Sequence, residues 1–99
     1  MIYRIAENAD WFRAQEVGEF ASADLAAEGF IHCSEHYQVA RTAEKYYRGR
    51  FGLVLLEIDD ARLGSALRRE DLTGSGEFPH VYAPIPLAAI VSCKDFVAS

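Results

Sequence analysis

The sequence predicts an α+β domain in which a few helices precede a run of strands. Three observations carry this. Helix-start residues Asn8, Ser22 and Ser34 and helix-stop residues Gly18, Gly29 and Gly49 all fall in the first half. The second half is dominated by strand-length apolar runs, such as "FGLVLLEID" at 51–59 and "AAIVSCKDFV" at 88–97. Three prolines between 79 and 86 forbid a regular helix there. Helices early and strands late favour α+β over a doubly wound sheet. The chain of 99 residues is the size of one small domain, taken as 1–99.

The elements follow in order. "IYRI" at 2–5 alternates as a first strand. Asn8 caps a helix over 9–16, with Asp10 favourable in its first turn and Gly18 as its stop. A short strand links it to the next helix, "ADLAAE", which Ser22 caps and Gly29 ends. "FIHC" at 30–33 is extended. Ser34 then caps a third helix over 35–48, with Glu35 at its positive end and Arg48 at its negative end. Val39, Ala43, Tyr46 and Tyr47 form its core-facing stripe. "FGLVLLEID" is apolar through its centre, so both faces should be covered. "DARLG" at 60–64 is a turn, "ALRREDL" at 66–72 a weak strand, and "TGSGEFP" at 73–79 a loop. "FPHVYAPI" at 78–85 is extended, with Pro79 confined to a sheet edge or a strand start. The last apolar run is the final strand.

Composition excludes several classes. The net charge of −5 argues against a broad grip on a phosphate backbone, which needs a basic face. Arg and Lys do concentrate at 41–50 and at Arg68–Arg69, which leaves room for one local positive zone. No G-x-G-x-x-G or Walker sequence is present. No apolar run reaches the ~20 residues of a membrane span. The N-terminal stretch lacks the basic and apolar regions of a signal peptide, so a cytoplasmic protein is expected. Cys33 and Cys93 are then most simply free, buried thiols. A monomer and a homodimer are both compatible with the sequence.

The densest chemistry is in "GFIHCSEH" at 29–36. Strand alternation puts Phe30, His32 and Ser34 on one face and Ile31 and Cys33 on the other. His32 and Cys33 therefore diverge, and His36 is carried off by the next helix, so no metal site is expected. Cys33 precedes a helix start, where a thiol can be activated, but it faces the core, and a structural cysteine is favoured. His32 and Ser34 sit where a strand feeds a helix. Such a position can hold an anion or a ribose hydroxyl, or can serve only packing and capping. In "FPHVYAPI", Phe78, His80 and Tyr82 share a face, so a second histidine and a tyrosine are presented together. Two histidine-bearing strands suggest a shared cleft. Arg4 and Glu70 are polar residues in strands, placed either to join it or to face solvent.

"IYRI…W", "EGFIHCS…QV…A…YY.G", "LVLLEID" and "FPHVYAPI" together resemble the DUF952 family of small, mostly bacterial proteins, over nearly the whole chain. That family is grouped by remote similarity with the ADP-ribosyltransferase-like fold, whose members cradle NAD between two small antiparallel sheets. The resemblance implies such split sheets here, with about three helices in the N-terminal half. It implies that Arg4, His32 and Ser34 line the cleft, with Glu70 or His80 as the third key position and Tyr82 beside the ligand. His32, His80 and Glu70 become the catalytic candidates, and NAD becomes the implied substrate. A carboxylate there would stabilise an oxocarbenium-like state as the nicotinamide bond breaks. The alternative is a non-catalytic structural or partner-binding module whose histidines are part of its packing.

Overall fold

The computed structural model describes residues 1–98 and has the expected α+β class. In chain order the strands are β1 (Ile2–Glu7), β2 (Glu19–Phe20), β3 (Ile31–His32) and β4 (Leu53–Ile58), then β5 (Leu67–Glu70), β6 (Phe78–Val81), β7 (Ile85–Pro86) and β8 (Ile90–Phe96). The helices α1 (Asn8–Val17), α2 (Ala23–Glu28) and α3 (Val39–Tyr46) all lie in the N-terminal half. The described strands make three antiparallel sheets, ordered β1-β4-β8, β3-β6-β5 and β2-β7.

Alternation explains the layers. In β1 and β4 the pairs Ile2↔Ile58, Arg4↔Leu56 and Ala6↔Val54 share one face. That face joins Phe20, Ile31, Val81 and Ile85 in the main core. The pairs Ile5↔Leu55 and Glu7↔Leu53 share the other face. There α3 lays Val39 and Ala43 over Ile5 and Leu53 as a second, smaller core. β4 is thus covered on both faces over most of its length, as its apolar run requires. Arg4 is the one charged residue on the inner face of β1, which is why its side chain is only 12% exposed.

Several boundaries differ from expectation for identifiable reasons. Asn8 does not cap α1 but is its first residue, and its amide donates to the Gly52 carbonyl at 2.9 Å. Gly18 and Gly29 end their helices at φ 90°, where a side chain would be strained. Ser34 does not cap a helix. It forms a backbone bridge with Tyr3, with N–H···O distances of 2.8 and 2.7 Å, which fastens the end of β3 to β1. The next turn is a 3-10 turn at His36–Gln38, closed by the Glu35 amide donating to Gln38 Oε1 at 2.9 Å. α3 starts only at Val39, and it ends at Tyr46, which is exposed rather than part of the core stripe.

"FPHVYAPI" splits into two strands. Phe78–Val81 joins the β3-β6-β5 sheet, and Ile85 leaves it to pair with Phe20. Pro79 lies in the middle strand, not at an edge. Its carbonyl accepts the Cys33 amide at 3.0 Å, and β3 ends at His32. The missing proline N–H faces Cys33 as well, so the reciprocal bond of that pair cannot form and the β3 ladder stops there. Among the described residues no helix is long and apolar enough to cross a membrane.

Leu56 is fully buried in the middle strand of its sheet, whereas Phe51 is 91% exposed. Leu56→Ala should cost about 2–5 kcal/mol, and Phe51→Ala should stay within about 0.5 kcal/mol. Urea denaturation of both variants checks this, and equal costs would contradict the assignment of the core.

Candidate functional site

β3 and β6 pair antiparallel with His32 directly opposite His80. Directly opposed residues share a face, so both imidazoles project to the same side. Their ring centroids are 5.6 Å apart and edge-on. Phe30 packs against both, at 4.7 Å from His32 and 4.2 Å from His80. The two rings differ in access: the His32 side chain is 47% exposed and that of His80 is 7% exposed.

Each histidine is oriented by a carboxylate. His32 Nδ1 lies 2.9 Å from Asp24 Oδ2, and His80 Nδ1 lies 2.9 Å from Glu70 Oε1. Each carboxylate accepts from an Nδ1–H, which turns the Nε2 atoms away from these partners; that of His32 lies 3.7 Å from Glu28 Oε1, and that of His80 has no hydrogen-bond partner among the described residues. Tyr82 also donates its hydroxyl to Glu70 Oε1. These two bonds hold the Glu70 carboxyl below its ordinary range, and the same carboxylate pushes the Tyr82 phenol up. Glu70 Oε2 makes no hydrogen bond among the described residues and is not a buried orphan, so it stays open to solvent.

Asp24, at the start of α2, is the centre of the other half. Its Oδ2 accepts from Arg4 Nη1 at 2.7 Å, from the His32 amide at 2.9 Å and from His32 Nδ1. Its Oδ1 accepts from the Ser22 hydroxyl and from the Leu25 amide at 3.0 Å. Burial pushes this carboxyl up. The His32 bonds, the Arg4 guanidinium and the Ser22 hydroxyl outweigh it and hold the group well below the usual carboxylate range. Arg4 Nη1 also donates to the His32 carbonyl at 2.9 Å. Among the described residues, Arg4 Nε is the only buried side-chain polar atom without a partner.

Arg4, His32, Ser34, Glu70 and His80 line one open cleft of ≈ 1090 Å³. Tyr82 does not line it; it stands behind Glu70 and positions that carboxylate. The far wall is α3, through Arg41, Thr42 and Lys45. Ser34 is buried, and its hydroxyl lies 3.1 Å from that of Thr42. His36 leaves the cleft and meets Tyr3 edge-on at 5.4 Å. Cys33 is 4% exposed, and burial pushes its thiol up to about 12, so the nucleophile reading fails for lack of both access and thiolate. Cys93 is half-buried, and both thiols are free. Among the described residues no three His, Cys, Asp or Glu side chains converge as a metal-holding group.

Sequence reasoning missed Asp24. Its one signal is Ser22-x-Asp24 at a helix start, which reads as an ordinary first-turn acid. It became central only because the fold brings Arg4 and His32 to it.

An unfolded aspartate titrates near about 3.9, and Asp24 in the folded chain titrates lower. Its stabilisation is therefore complete above about pH 5 and is lost as pH falls below about 4 towards the folded value. Asp24→Asn should lose about 3 kcal/mol at neutral pH, because it leaves Arg4 buried without its charge partner. The variant should also lose this carboxyl's share of the acid-side slope. Urea melts from neutral to acid pH measure both effects, and a variant as stable as the parent would contradict them.

A family model described as "Protein of unknown function (DUF952)" matches residues 5–93. No curated protein matches the chain. Three solved structures match it. A crystal structure of protein CC0527 from Caulobacter crescentus is 39% identical with a TM-score of 0.88, covering 95% of this chain and 83% of that one. A crystal structure of a double mutant of CC0527 is 38% identical, with the same TM-score and coverage. A solution structure of CC0527 is 39% identical with a TM-score of 0.83, covering 95% of this chain and 82% of that one.

Proposed function

The chain belongs to the DUF952 family, and from that premise we propose that its cleft binds a nucleotide-like small molecule, with NAD as the leading case. One observation carries the reading. Two histidines on paired strands, each with Nδ1 held by its own carboxylate, meet in a cleft that also presents unpaired cations. A cleft used only for packing has no need of two imidazoles each oriented by its own carboxylate. The cleft volume of ≈ 1090 Å³ is just above the range of about 300–1,000 Å³ for small-molecule sites.

The roles follow from access. Phe30 is buried and backs both imidazoles, fixing their places in the floor of the cleft. His32, the more exposed imidazole, is placed to bind a ribose hydroxyl through Nε2. Arg4 has its Nη2 free of protein partners and supports a phosphate oxygen. Glu70 keeps Oε2 open beside His80. With NAD in the cleft, the C1′–N bond to nicotinamide would break and nicotinamide would leave with the electron pair. An acceptor would then bond to C1′ as it loses its proton. Glu70 would stabilise the positive charge that develops on the ribose. This finer assignment rests on the remote grouping of the family with ADP-ribosyltransferase-like proteins that the sequence motifs imply.

A ligand at ten times its Kd adds about 1.4 kcal/mol of stability, which raises the melting temperature of a chain this size by on the order of 6–10 °C. NAD or ADP-ribose at millimolar concentration should produce such a rise in the parent protein. His32→Ala and His80→Ala should each reduce it. If NAD, ADP-ribose and simple nucleotides all leave the melting temperature unchanged, the ligand class is wrong. With binding in hand, release of free nicotinamide that Glu70→Gln abolishes would establish transfer or hydrolysis. Binding without release would leave the cleft a nucleotide sensor.

A further inference from the structure

The α3 wall of the cleft has chemistry that the histidine floor does not use. Four of the ten Lys and Arg residues line this one cavity: Arg4, Arg41, Lys45 and Arg50. Two of them are already matched, Arg4 by Asp24 and Arg50 by Glu7. Arg41 and Lys45 have no carboxylate within ion-pair distance among the described residues. They are exposed and stand four residues apart on one helix, so they share a face and point to the same space. Like charges at that spacing repel and weaken the helix. Lys45 Nζ lies 5.2 Å from the centre of the Tyr46 ring, but no carboxylate offsets either charge among the described residues, although the chain carries an excess of acids.

Thr42 lies between them and also lines the cleft. Its hydroxyl and that of Ser34 are 3.1 Å apart, and Ser34 follows His32 by two residues. Cations, hydroxyls and imidazole therefore form one continuous surface from α3 to the end of β3. Four residues of helix separate Arg41 and Lys45 by about 6 Å along the axis, and both side chains are long enough to converge on one anion. A single carboxylate would leave one cation unmatched. A multiply charged phosphate group matches both, and Arg supplies the planar fork that suits it.

We propose that Arg41 and Lys45, with Thr42, form a diphosphate-binding wall, so that the cleft selects small molecules carrying a diphosphate over the corresponding neutral nucleosides. This deepens the nucleotide reading and rests on it for the nucleoside end of the ligand. The diphosphate end can be tested alone.

The probe is inorganic pyrophosphate at low ionic strength, followed by calorimetry on the parent protein and on the double variant Arg41→Gln, Lys45→Gln. The parent should bind pyrophosphate, and added salt should weaken the binding. The double variant should bind it about tenfold more weakly or worse, the loss of at least one charge-assisted bond. Both residues are exposed and mutually repulsive, so the variant should melt no lower than the parent, which separates lost binding from lost folding. Equal binding by parent and variant, or no binding by the parent, overturns the proposal. A second arm uses ADP-ribose and adenosine. If pyrophosphate binds through α3 but ADP-ribose binds no tighter and His32→Ala changes nothing, the diphosphate wall stands and the nucleotide reading falls.

Discussion

The cleft depends on one half-buried carboxylate. Asp24, on α2, binds β1 through Arg4, β3 through His32 and the residue before its own helix through Ser22. Arg4 lies on the inner face of the first strand, where a charge cannot remain without a partner. Asp24 meets that requirement, and the same oxygen fixes the main chain and the ring of His32. Position and chemistry are therefore coupled. The ion pair that makes the buried arginine tolerable also aims the histidine. Pairs of this kind contribute little net stability compared with apolar replacements, but breaking one is costly. Their value lies in specifying a single arrangement, and here that arrangement is the half of the cleft nearest α2.

The other half is built by strand pairing rather than by charge. Placing His80 opposite His32 needs only the register of a two-residue strand, because side chains directly across a ladder share a face. That register is secured at the C-terminal end of β3, where Cys33 donates to Pro79 as the ladder stops and Ser34 bridges to Tyr3 just beyond it. Glu70 arrives on β5, in register with Phe78 and two residues along from Arg68, which faces His80. The result is two carboxylate–histidine pairs delivered by different means and held about a ring diameter apart. Phe30 fills the space between them.

How much of this the sequence revealed depends on the range of the interactions. Period-two alternation correctly put Ile31 and Cys33 in the core and Phe30 with His32, because burial of one face is a local consequence of strand geometry. Gly18 and Gly29 ended helices as expected because positive φ is a local demand. Apart from the late start of α3, which the local Glu35–Gln38 bond explains, the errors involve partners distant in sequence. Ser34 looked like a cap, but its backbone was taken by Tyr3, thirty-one positions earlier in the chain. Pro79 looked like an edge residue because nothing local reveals where a neighbouring strand stops. Asp24 was overlooked because its significance lies in Arg4 and His32, twenty and eight residues away. Tyr82 was placed on the right face, but one position too far along the bend to reach the cleft, and it serves Glu70 from behind.

The charges around the cleft resolve what looks like a conflict between an acidic chain and an anionic ligand. At physiological salt, charges more than about 8 Å away are largely screened, so only the lining groups matter. Once the matched pairs Arg4–Asp24 and Arg50–Glu7 are set aside, the acids left on the lining are Asp10, Glu28 and Glu70, and the cations left are Arg41 and Lys45. Apart from Asp10 on α1, they are segregated. Glu28 lies beside His32 and Glu70 beside His80, whereas both cations stand on α3. A cleft polarised in this way orients a ligand as well as attracting it. A molecule with a diphosphate at one end and a positively charged ring at the other would be favoured in one direction and opposed in the reverse.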